Sequence, residues 1–160
     1  MTGQLVFDLL NVKNFNSDDF YVNENNMEAS ELINMWPNWF NGVAVIDGPE
    51  KSGKSHLANI WKESINANIY NLDVNLTFSD INTNENFVLD NFHNLSRENE
   101  ENFFHVYNRT FSNKKNILIT LDKNKFKKIN LKDLESRFNS FSSATIKAPD
   151  DNLVKALIIK

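Results

Sequence analysis

The 160-residue chain contains no cysteine, which removes both a disulfide framework and a thiolate metal site and fits a reducing cytoplasm. Its three histidines, His56, His93 and His105, are scattered without the spacing of metal ligands. No uninterrupted apolar stretch approaches the roughly 20 residues that a membrane span needs, and no cationic, apolar leader follows Met1. A soluble, cytoplasmic protein without a membrane partner is therefore expected. The chain also lacks a basic excess: its formal net charge is −4, against a free-standing duplex-DNA binder, whose footprint is usually strongly basic. The local run Lys123, Lys125, Lys127 and Lys128 is a candidate exception. What is there is ordinary globular composition, 41% hydrophobic and 24% charged, at a length that suits one domain with one main site.

Strand and helix patterns alternate along the chain. NNMEASELINMW places Met27, Leu32, Ile33 and Trp36 at helical spacing and is expected to run up to Pro37. GVAVIDG is a β-branched run closed by glycine, and KSHLANIWKESI is an amphipathic helix with Leu57, Ile60, Trp61 and Ile65 on one face. NIYNLDV, NFVLDNF, NILITLD and SATIKA read as further strands, with helices at EENFFHVYNRTF and LKDLESRF. Alternation of this kind predicts an α/β domain, a parallel sheet covered by helices on both faces. Residues 1–12 read as a tail, 13–150 as the core, and 151–160 as the start of another helix.

The sharpest motif is GPEKSGKS, which matches G-x-x-x-x-G-K-[ST] at every fixed position. It follows the strand VAVID and opens a helix, so its backbone N–H groups and the positive helix end converge where phosphates would lie. Gly48, Pro49, Glu50, Lys51, Ser52, Gly53, Lys54, Ser55 and His56 are the candidate nucleotide-binding residues. The two glycines permit backbone conformations that a Cβ obstructs, Lys54 supplies a point charge to the β and γ phosphates, and the Ser55 hydroxyl suits Mg²⁺. Asp90, at the end of the strand in NFVLDN, is the second candidate magnesium ligand. Many P-loop ATPases carry another acid at the next position to polarise water; here it is Asn91, which cannot act as a base, so weak or absent hydrolysis is expected.

With these elements in order, the chain resembles the AAA+ ATPase domain of the DnaA replication initiator family, and in layout its short regulatory branch, Hda. FNSDDFYVNENNMEA keeps Phe20, Val22, Asn26 and Ala29 in register with the family's opening phrase, which packs around adenine. The resemblance thus makes Phe20, Tyr21 and Val22 candidates for the base pocket, with Asn23 where the family usually has glycine. GPEKSGKSHL is similar to the family's phosphate loop, and NFVLDNF to its magnesium strand. NILITLD corresponds to the sensor-1 strand, with Thr120 and Asp122 both open as the sensor. LKDLESRF resembles the box whose arginine reaches a neighbouring subunit's nucleotide, making Arg137 the candidate arginine finger in trans. The likeness spans roughly residues 4 to 160.

The resemblance implies ATP or ADP with Mg²⁺ as cofactors, and DnaA and AAA+ self-association as partners. Family members continue with a helical lid, of which residues 151–160 would be only the start; a P-loop AAA+ base domain without the rest of that lid is expected to bind nucleotide less tightly. QLVFDL, at residues 4 to 9, has two readings, an edge strand or a peptide resembling Q-L-x-L-x-L ligands of the polymerase sliding clamp. In the second, Gln4, Leu5, Phe7 and Leu9 are the anchors. That reading implies a regulator that docks on the clamp and promotes hydrolysis of initiator-bound ATP. The alternative is an initiator or helicase-loader module acting on single-stranded DNA; a small-molecule P-loop kinase is the third.

Overall fold

The computed structural model describes residues 20, 22–74, 76–126 and 128–148. Five strands, β1 (Val43–Asp47), β2 (Asn68–Asn71), β3 (Phe87–Phe92), β4 (Ile117–Leu121) and β5 (Ser142–Thr145), form one sheet in the order β2-β3-β4-β1-β5. Every pairing is parallel. The order follows from side-chain chemistry: VAVID and ILITL are buried at all five positions, whereas NIYN and SSAT, with polar residues at their ends, take the two edges. A parallel strand covered on both faces is mostly apolar, as the inner strands are up to the polar residues Asp47, Asp90 and Thr120 near their carboxyl ends.

Among the described residues, four α-helices cover the faces. On one side α1 (Met27–Asn34) and α2 (Lys54–Ile65) press Ala29, Leu32, Ile33, Leu57 and Trp61 against Ala44, Ile46, Val88 and Leu118. On the other, α3 (Arg97–Ser112) and α4 (Lys132–Ser140) cover Val45, Leu89, Ile117 and Ile119 with Phe103, Val106, Tyr107 and Leu134. Trp61 is fully buried between Trp36 and Trp39, with ring centroids 6.1 and 5.2 Å away. α2 stops where Asn66 turns left-handed (φ 56°), a conformation that asparagine tolerates. Ser96 caps α3, its Oγ accepting the Asn99 N–H at 3.2 Å.

The α/β expectation and the order of elements hold, and the differences are local. β2 ends at Asn71 rather than Val74, because the Asn71 side chain accepts the Asp73 N–H at 2.9 Å and turns the chain. α1 ends at Asn34, and Met27 is 46% exposed instead of facing the core with Leu32 and Ile33. The tail 1–12, the clamp-type residues Gln4, Leu5, Phe7 and Leu9, the base-pocket candidate Tyr21, Lys127 and the segment 151–160 lie outside the described residues. Among the described residues, no helix is long and apolar enough to cross a membrane.

Candidate functional site

β1 delivers the chain to the carboxyl edge of the sheet, where the segment Gly48–Gly53 loops over into α2. The loop is pinned at its start by the Gly48 N–H, which donates to the Leu121 carbonyl at 3.1 Å. A Cβ on Gly48 would lie 2.6 Å from Ser52 Oγ and 2.9 Å from the Ile146 carbonyl oxygen, so only glycine fits between the loop and the end of β5. Lys51 (φ 62°) and Gly53 (φ 100°) are left-handed, the backbone alternation that turns successive N–H groups toward one point. No side chain caps α2, so its first-turn N–H groups face the loop's concavity with the positive end of the helix dipole behind them. Lys54 is buried against the loop, its Nζ donating to the Pro49 carbonyl at 3.0 Å.

Beneath the loop three elements converge. Ser55 Oγ, in the first turn of α2, donates to Asp90 Oδ1 on β3 at 3.0 Å. Thr120 Oγ1, fully buried on β4, donates to the same oxygen at 2.5 Å and accepts the Asn91 N–H at 2.9 Å. A bulge sets this up: Leu89 pairs with Ile119 but Phe92 with Leu121, so β3 holds one residue more than β4 over that span. The extra residue is absorbed at Asn91, whose φ is 60° and whose Nδ2 donates to Asn71 Oδ1 at 3.2 Å. Asparagine therefore has a backbone reason to stand at position 91, beside its inability to act as a base.

Of the two sensor candidates, Thr120 is the one in contact with Asp90. Asp122 instead closes a turn, its Oδ1 accepting the Asn124 N–H at 3.0 Å and its carbonyl those of Lys125 and Phe126 at 2.9 and 2.8 Å. Phe20 lies over the loop, its ring 5.7 Å from that of His56 and its edge 3.8 Å from where a Cβ on Gly53 would be. Val22 is 36% exposed.

Two lysines of the run, Lys123 and Lys125, face acids. Lys125 Nζ bonds Glu50 Oε1 at 2.6 Å, tying the phosphate loop to the segment after β4. That hydrogen bond and charge hold the Glu50 carboxyl below its ordinary pKa and raise the Lys125 ammonium. Lys123 Nζ lies 4.0 Å from Asp47 Oδ2. Asp47 itself was not singled out by its sequence: buried at the end of β1, it accepts the Lys123 N–H at 2.8 Å and bonds Thr145 at 3.5 Å, bracketing β4 and β5 around the loop.

Arg137 stands at the other end of the molecule. α4 runs back from the carboxyl edge, so its last turn reaches the entry of β1, beside Phe40 and Asn41. The five residues of β1 separate that point from the phosphate loop by roughly 16 Å, too far for Arg137 to reach its own loop. Arg137 is exposed and, among the described residues, makes no ion pair with Glu135 or any other acid. The start of its helix is held by a residue that sequence reasoning missed. Glu100, 1% exposed, accepts the Asn130 N–H at 2.9 and 2.8 Å and the Leu131 N–H at 3.0 Å, where no side chain caps α4. A carboxylate at a helix N-terminus satisfies orphan donors and opposes the dipole. Its signal was available: Glu100 shares a helical stripe with Phe103 and Tyr107, where only an acid with buried donors to meet would be tolerated.

A loop after β1 that opens a helix, an acid on β3 and a hydroxyl on β4 define the class of the fold as P-loop α/β. No protein-family model matches the sequence, and no curated protein matches it in sequence. Solved structures share the fold more particularly. A crystal structure of a DNA replication initiation factor superposes with a TM-score of 0.69 at 17% identity, over 91% of this chain and 53% of the other. The replication initiator DnaA bound to AMPPCP and single-stranded DNA gives 0.66 at 19% identity, over 82% and 49%. AMPPCP-bound DnaA from Aquifex aeolicus gives 0.66 at 20%, over 88% and 52%. The chain thus has the fold of the DnaA AAA+ domain and spans about half the length of these proteins.

Proposed function

We propose that the chain binds ATP or ADP with Mg²⁺ and acts as a regulator of replication initiation. It docks on the sliding clamp through Gln4, Leu5, Phe7 and Leu9, and it promotes hydrolysis of ATP held by the initiator DnaA. The observation that carries the nucleotide reading is the meeting of Ser55, Asp90 and Thr120 beneath an uncapped helix start. The donor set fits magnesium: a hydroxyl and a carboxylate oxygen 3.0 Å apart are hard ligands that leave the remaining positions to water and phosphate. Bound there, the ion would neutralise charge on the β and γ phosphates. Lys54 is placed to exchange its bond to the Pro49 carbonyl for a phosphate oxygen, and the loop's N–H groups orient the chain of phosphates. In this reading Phe20, whose ring lies 5.7 Å from that of His56 beside the loop, packs on the base.

The regulatory reading rests on what the site lacks and where its arginine stands. With Asn91 after Asp90, the residue beside the magnesium acid cannot act as a base on water, so intrinsic hydrolysis is weak or absent. Arg137, exposed at the opposite edge, acts on a partner's nucleotide, its fixed charged fork neutralising charge that develops on the γ phosphate. A cytoplasmic location follows from this role. The test is retention by immobilised clamp: alanine at both Gln4 and Leu5 should abolish it, and unchanged retention would sink the clamp assignment.

The second reading is an initiator or helicase-loader module acting on single-stranded DNA and self-associating through AAA+ interfaces. The single-stranded DNA in the similar DnaA complex favours it; the acidic balance and the pairing of Lys123 and Lys125 with acids weigh against it. Stimulation of the chain's own turnover by single-stranded DNA would decide for it.

A further inference from the structure

A loop built to hold anionic phosphates here carries an acid of its own, Glu50, exposed within GPEKSGKS. A carboxylate in that place repels a nucleotide unless a cation neutralises it, and a local charge that opposes the rest of a site marks a functional position. The cation is Lys125, whose Nζ lies 2.6 Å from Glu50 Oε1. We propose that Lys125 is the residue by which the site distinguishes ATP from ADP: Glu50 holds its ammonium beside the loop until a γ phosphate takes it over. The inference rests on the nucleotide reading above and adds to it which nucleotide is preferred and by what means.

The fold brings Lys125 to the γ side of the loop. Ser55 and Asp90 stand where a metal bridging the β and γ oxygens would be held, so the terminal phosphate belongs over the carboxyl ends of β3 and β4. β4 ends at Leu121, whose carbonyl accepts the Gly48 N–H at 3.1 Å, and the chain then turns back on the Asp122 carbonyl, which accepts the Lys125 N–H at 2.9 Å. The Lys125 carbonyl accepts Asn94 Nδ2, just beyond the end of β3, at 3.5 Å. Lys125 is thereby set between the loop and the exits of both strands. Asp122 and Asp73, on the same edge, join Glu50 in keeping its ammonium charged.

The pair has the properties that an exchange needs. Both side chains are largely exposed, Lys125 at 61% and Glu50 at 76%, and an exposed ion pair is a weak tie. A lysine ammonium is a point charge on a flexible four-carbon stem, able to turn from one anion to another nearby without moving the backbone. A terminal phosphate is more highly charged than a carboxylate and outcompetes it at similar distance. Glu50 also lies in the field of Lys54 and Lys51, so its charge is not stranded when Lys125 leaves. ADP ends one phosphate short; with ADP bound, Lys125 stays on Glu50 and adds nothing to affinity.

The experiment measures affinity for ADP and for AMPPCP, each with Mg²⁺, by competition against fluorescent ADP. It uses the wild-type chain, Lys125→Met, Glu50→Gln and the double variant, with melting temperature as the check on folding. Lys125→Met should weaken AMPPCP about tenfold and leave ADP within about twofold. Glu50→Gln should strengthen AMPPCP more than ADP, and that gain in preference should disappear in the double variant. An unchanged ratio of the two affinities in Lys125→Met overturns the proposal, whether both hold, as for a surface pair without a role, or both fall together, as for a tie that only shapes the loop. A wild-type chain that binds neither nucleotide refutes the nucleotide reading and this inference with it, whereas binding with an unchanged ratio refutes this inference alone.

Discussion

Replacing Glu100 by alanine should unfasten the start of the arginine-bearing helix. The wild-type carboxylate satisfies two buried-side N–H donors, those of Asn130 and Leu131, through three contacts between 2.8 and 3.0 Å. Each donor left without an acceptor costs about 1–3 kcal/mol, and water entering the vacated space recovers part of that, so a net loss of about 3 kcal/mol is expected. Glutamine keeps one acceptor oxygen but turns an amide donor toward the second contact, and should lose about 1–2 kcal/mol. For a chain of this size, a loss of about 3 kcal/mol lowers the melting temperature by roughly 6–12 °C. Urea unfolding followed by tryptophan fluorescence measures the loss globally, and amide exchange at Asn130 and Leu131 measures it locally. If alanine leaves stability within about 0.5 kcal/mol of wild type, the range of an ordinary surface change, Glu100 is not the cap of α4 and the reasoning fails.

Gly48→Ala puts a methyl group 2.9 Å from a backbone carbonyl that cannot move without shifting β5; titration with fluorescent ADP should show at least about a tenfold loss of affinity. Thr120→Val preserves shape but strands the Asn91 N–H and removes a donor from Asp90, costing about 1–3 kcal/mol in urea unfolding. It should also diminish the effect of Mg²⁺ on nucleotide affinity, and Thr120→Ser should restore both. Burial raises the Tyr107 hydroxyl above its ordinary pKa, and the nearby Arg137 charge opposes the rise. Because the folded value lies above the unfolded one, this contribution to stability is present below about pH 10 and is lost as pH rises through the folded value. Ultraviolet titration should show Arg137→Ala moving the Tyr107 transition upward; a downward move would refute the proximity.

The parts of this protein legible in its residue order are those built by neighbours in sequence. Eight consecutive residues make the phosphate loop, because loop shape, left-handed turns and helix start all arise from local backbone geometry. The span of α2 was readable to the residue for the same reason, and apolar runs such as VAVID and ILITL alternating with helices announced strands of a parallel sheet. Contacts between residues far apart in sequence were not readable in this way. Sequence left Thr120 and Asp122 as equal candidates, and only the bulge at Asn91 and the β3–β4 register brought Thr120 onto Asp90. Nothing local marks Asp47 as the residue that holds the segments after β4 and β5 beside the loop, and the helical stripe that marks Glu100 as an acid with buried donors to meet does not say that those donors are Asn130 and Leu131. Sequence offered the lysine run as a candidate basic patch; folding set Glu50 against one of its members, Lys125. It could name Arg137, but which edge of the sheet that arginine occupies depends on how α4 packs and where β5 joins the order, because side-chain periodicity encodes which face is buried and not which distant residue lies across from it.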